Sequence, residues 1–71
     1  MISPERLRPG ILFAHVDDST AVYVIVDMVH MRTSEDTWVD GIAYRPWMNS
    51  RQRMFVRDEV SFCARFTEVD G

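Results

Sequence analysis

A single run of thirteen residues limits what this 71-residue chain can fold into. From Thr20 to Arg32 the residues alternate as in a strand. Val22, Val24, Val26, Met28 and His30 fall on one side, and Tyr23, Ile25, Asp27, Val29 and Met31 on the other. Each side is apolar apart from one polar residue. At ~3.3 Å per residue the run spans about 40 Å, too long for a straight strand in a domain this small. It must bend, so that its two halves serve two sheets of a small barrel.

The rest of the chain supplies short partners. Ser3-Pro4-Glu5 opens a helical turn, with Ser3 as cap and Pro4 at the first position. Pro9 ends that turn, because the residue before a proline is pushed toward extended geometry. Ile11 to Val16 is a first strand, and Asp17-Asp18-Ser19 a turn. After a turn at Ser34-Glu35-Asp36, Trp38 to Arg45 forms strand three, with a bend or bulge expected at Asp40-Gly41. A two-residue hairpin there is the alternative, but it leaves Thr37 to Val39 very short. Pro46 to Ser50 is a loop, Arg51 to Arg57 strand four, and Asp58 the cap of a late helical turn over 58–65. Phe62 and Phe66, four apart, pack together, and Phe66 to Val69 closes the fold. Val24, Val26, Phe62 and Phe66 are the expected core. The order predicts one mainly β domain over 1–71, with a short N-terminal turn or helix over 1–8. Residues 9–69 form a five-stranded SH3-like antiparallel barrel with a short helical turn before the last strand.

Pro9-Gly10, Tyr23-Val24-Ile25-Val26, His30, Ile42-Ala43-Tyr44-Arg45, Phe55-Val56-Arg57 and Phe62 together resemble a family of small bacterial proteins, the domain of unknown function 1653. The likeness runs over about residues 9–69. Three places depart from it: Asp58 stands where proline is common, Phe55 where tryptophan is frequent, and Trp47 to Arg51 resembles an insertion. The resemblance implies an SH3-like barrel and a continuous strand through Asp40-Gly41. It implies no activity.

Charge is distributed unevenly. The net charge is −3, which argues against generic nucleic-acid binding. Residues 1–40 carry seven acids against three arginines, whereas 41–57 carry Arg45, Arg51, Arg53 and Arg57 with no acid. Every basic residue is arginine, whose planar fork favours bidentate contacts and stacking. Cys63 is the only cysteine, which excludes an internal disulfide and a cysteine-based zinc site and suits a small buried hydrophobe. Its spacing from His15 and His30 suggests no catalytic dyad. His15 with Asp17 and Asp18 reads as a strand-end histidine beside solvated turn carboxylates rather than a metal site. Three glycines provide no phosphate-binding loop. No catalytic residue, metal or cofactor is expected.

The most informative cluster is Arg45, Trp47, Arg51, Arg53, Phe55 and Arg57. Arginine with aromatics marks protein-contact hot spots and also suits phosphates and stacked bases. The bland alternative has Phe55 facing the core and the arginines paired with Asp27, Glu35, Asp36 or Glu59. Trp38 and Trp47, if both point outward, mark a contact or self-association face. The expected function is a non-enzymatic module that docks on an unknown protein partner through Arg45, Trp47, Arg51, Arg53, Arg57 and Trp38, with self-association into a homo-oligomer. One alternative is a nucleotide or single-stranded nucleic-acid binder using 45–57. Another is a small phage or mobile-element inhibitor of a host complex. The N-terminal residues lack the layout of a secretory leader and no apolar run spans a membrane, so a cytoplasmic location is expected.

Overall fold

A computed structural model describes residues 2–48 and 53–69. Five antiparallel strands form one sheet: β1 (Leu12–His15), β2 (Asp18–Arg32), β3 (Trp38–Pro46), β4 (Phe55–Asp58) and β5 (Phe66–Glu68), in the order β4-β3-β2-β1-β5. One helix, α1 (Glu59–Arg65), precedes β5, and a 3-10 turn covers Pro4–Arg6. Asp58 caps α1, its carboxylate accepting from the Ser61 N–H at 2.9 Å. Ser3 occupies the cap position of the 3-10 turn without a side-chain cap bond.

β2 is the central strand of the one sheet, rather than a strand shared between two sheets. Its first part pairs with β1 and its stretch from Tyr23 to Arg32 with β3, so Tyr23 and Val24 have partners on both sides. A bulge at Val26 separates the Ile25–Tyr44 pair from the Asp27–Ala43 pair. The extra residue shifts the side-chain alternation by one. Tyr23 and Ile25 join the core, and beyond the bulge Met28 takes the place beside Ile42. Neither side of the simple alternation is therefore the core side throughout. Val24 is buried but outside the core cluster, and Val26 is only half-buried.

β3 runs unbroken through Asp40 and Gly41, so the hairpin alternative does not hold, and the irregularity lies on β2 instead. Gly41 is constrained by close approach. A Cβ there would stand 2.8 Å from the Met31 Sδ and 3.3 Å from the Arg57 carbonyl oxygen. β4 is shorter than the period-two pattern suggested, because Arg53 and Met54 precede it as irregular chain. The expected start of strand four at Arg51-Gln52 lies outside the described residues.

Phe13, Ile25, Ile42, Phe62 and Phe66 are the largest fully buried side chains. The Phe62 and Phe66 rings stack at 4.4 Å and 14°, and Phe13 meets Phe62 edge-on at 5.1 Å. α1 thus covers one side of the sheet, against β3, β4 and β5. Ile2 and Leu7 extend this core, and the Ile2 N–H donates to the Cys63 carbonyl at 3.1 Å.

Candidate partner-contact surface

Arg45, Trp47, Arg53 and Arg57 lie along β3, β4 and the residues flanking them, but not on one side of the sheet. Opposed residues in an antiparallel pair share a side. Arg45 faces Val24, on the side away from the core cluster, and Val56 shares that side through Ala43. Phe55 and Arg57 face Tyr44 and Ile42, on the core side. Trp47 follows β3 in a turn, its N–H donating to the Val22 carbonyl at 2.9 Å, and its side chain is half-exposed. Arg53 is exposed just before β4, and Arg51 lies outside the described residues. Trp38, 64 % exposed, begins β3 opposite Arg32. Eight residues at ~3.3 Å each separate it by about 26 Å from the Trp47 end. Trp38 therefore belongs to a different end of the domain.

Side chains not singled out in the sequence complete this surface. Met48, Met54 and Val56 are exposed, so five of the nine exposed large hydrophobics among the described residues lie between Trp47 and Val56. Phe55 is 46 % exposed and tilts against Tyr44 at 5.7 Å, and Tyr44 meets Tyr23 at 5.5 Å. The rings thus run from exposed Phe55 on β4 into the core through Tyr44 on β3 and Tyr23 on β2. The clustering of Met48, Met54 and Val56 around a proline-bearing loop was the available signal, because few of these residues could reach a core that β3 already fills.

Electrostatics sharpen the picture. Among the described residues the arginine–carboxylate ion pairs are Arg6–Glu68 and Arg32–Asp36, and the imidazoles of His15 and His30 lie beside the Asp17 and Asp40 carboxylates. Among the described residues Arg45, Arg53 and Arg57 have no carboxylate partner, so these three do not pair with Asp27, Glu35, Asp36 or Glu59. Arg57 lies 5.8 Å from the Phe66 ring centroid and donates to the Ser61 hydroxyl at 3.2 Å. Its Nε is buried without a partner.

The remaining chemistry-bearing groups are dispersed. Cys63 is buried, and desolvation, with the nearby Glu59 carboxylate as a lesser cause, pushes its thiol pKa up. His15 packs edge-on to Phe66 at 5.2 Å and accepts from the Asp17 N–H through Nδ1. His30 and Asp40 face each other at 3.3 Å in a cleft of about 260 Å³ that Met28 and Glu59 also line. No three His, Cys, Asp or Glu side chains gather to hold a metal ion among the described residues, and no helix there is long and apolar enough to cross a membrane. No family model, curated protein or solved structure matches the chain.

Proposed function

We propose that this protein is a non-enzymatic docking module whose contact surface is the β3–β4 connection with β4. The partner is a protein presenting acidic side chains around an apolar patch. One observation carries the reading: exposed Trp47, Met48, Met54, Phe55 and Val56 share one segment with Arg45, Arg53 and Arg57, none of which has a carboxylate partner among the described residues. Exposed apolar side chains concentrated in one place mark interaction sites, and aromatic and arginine residues dominate interface hot spots. Unpaired arginines give such a surface direction, since they steer an acidic partner and disfavour a basic one. The strand order, with a short helix between the last two strands, is the arrangement expected of an SH3-like barrel, and the proposal includes that fold family and a cytoplasmic setting.

The test is a Trp47→Ala, Arg51→Ala, Arg53→Ala variant, with partners trapped by crosslinking in the native cell. It should keep its melting temperature and lose the partners that the parent traps. A variant that unfolds makes these residues structural, and a folded variant that traps the same proteins places the interface elsewhere.

A second reading, a binder of single-stranded nucleic acid, is favoured by exposed Trp47 and Phe55 in the same segment as Arg45, Arg53 and Arg57. Bases stack on exposed rings while arginines follow the backbone. A salt titration separates the two, because phosphate contacts make affinity fall steeply with salt whereas apolar docking does not.

A further inference from the structure

We infer that the outer edge of β4 pairs with β4 of a second copy of this chain, antiparallel, about a two-fold axis at Val56. This builds on the docking reading and assigns an occupant to one part of that surface. Among the described residues β4 ends the sheet and is paired only on its β3 side. The Arg57 carbonyl oxygen stands 3.3 Å from where a Cβ on Gly41 would be, which turns it toward β3. Backbone groups alternate in direction along an antiparallel strand. Val56 therefore aims its N–H and C=O at the open edge, and no turn, loop or cap hydrogen bond among the described residues takes them up. The side chains at this edge are apolar and accessible: Met54 is 57 % exposed, Phe55 46 % and Val56 52 %. An edge with free backbone groups and apolar flanks is a template for another strand.

In a pairing between two copies, charge selects the register. In a two-fold pairing one residue stands opposite itself and its neighbours face each other in mirrored order. Centring on Phe55 sets Arg53 against the partner's Arg57, and centring on Arg57 sets it against the partner's Arg57. Both oppose like charges, which destabilises a strand pair. Centring on Val56 avoids both conflicts: Phe55 faces the partner's Arg57 and Met54 faces the partner's Asp58. Phe55 then offers its ring to a cation, and the two five-stranded sheets become continuous.

The contact is short, so association is weak and concentration-dependent. Sedimentation equilibrium of the full chain should show the mass rising from monomer toward dimer between about 5 and about 500 µM, as expected of a small interface. Exchange of the Val56 amide should slow over the same range. Val56→Pro removes the outward donor at the axis while leaving the β3–β4 ladder intact, a place where a strand accepts proline. This variant should remain folded and monomeric throughout. If it unfolds, Val56→Lys provides the same test, because it keeps the backbone and sets a charge against itself at the axis. A parent that stays monomeric at the highest concentration overturns the inference, as does a folded Val56 variant that dimerises like the parent. A monomeric parent that still traps partners through Trp47 and Arg53 leaves the docking reading standing. A parent that dimerises through Val56 but traps no other protein removes the heterologous partner alone.

Discussion

Replacing Phe62 by alanine tests the core most directly. Phe62 is fully buried, stacked on Phe66 at 4.4 Å, edge-on to Phe13 at 5.1 Å and 5.3 Å from Tyr44. Losing the burial of the side chain costs about 2 kcal/mol. A residual cavity of about 100 Å³, at ~24 cal/mol per Å³, adds about 2 kcal/mol. The total of about 4 kcal/mol lies within the ~3–5 kcal/mol usual for Phe→Ala in a core. A domain this small draws only about 3–5 kcal/mol of stability from its core, so Phe62→Ala should be largely unfolded at 25 °C. Urea denaturation followed by near-UV circular dichroism reads this directly: the parent gives a cooperative transition, and the variant starts without native aromatic signal. Val24→Ala is the internal comparison, because Val24 is buried outside the core cluster. It should leave a folded protein with a lower midpoint. A Phe62→Ala protein that melts like the parent, or one no less stable than Val24→Ala, would refute the assignment of the core to the side of the sheet that α1 covers.

Asp58→Ala removes the carboxylate that accepts from the Ser61 N–H and should cost about 1 kcal/mol in urea unfolding. Ser3→Ala should change little, since Ser3 makes no side-chain cap bond. The Arg6 guanidinium donates to both Glu68 carboxylate oxygens, at 3.1 and 2.8 Å, and holds the Glu68 pKa below its ordinary 4.5. A carboxylate whose folded pKa is lowered contributes stability above its unfolded pKa and loses it as pH falls through the folded one. Thermal melts of Glu68→Gln should therefore fall below the parent near neutral pH and converge with it in acid; a constant gap across that range would deny the Arg6 link.

The sequence by itself determined the class of this fold through features that are local or periodic. A long two-sided β run has to bend, Asp58 can cap a helix from its own position, and Phe62 and Phe66 meet because they are close along the chain. It also marked the 45–57 segment through the absence of acids there. Only the tertiary structure decided the phase of β2. One extra residue at Val26 moves the following side chains to the other side of the sheet, and a bulge has no periodic signature because it is a mismatch between two strands. Tertiary structure likewise separated Trp38 from Trp47, put Arg45 on the side of the sheet opposite Arg57, and left Phe55 against Tyr44 yet exposed. Each of these depends on which strand lies alongside, and strand pairing is set by contacts between residues distant in the chain.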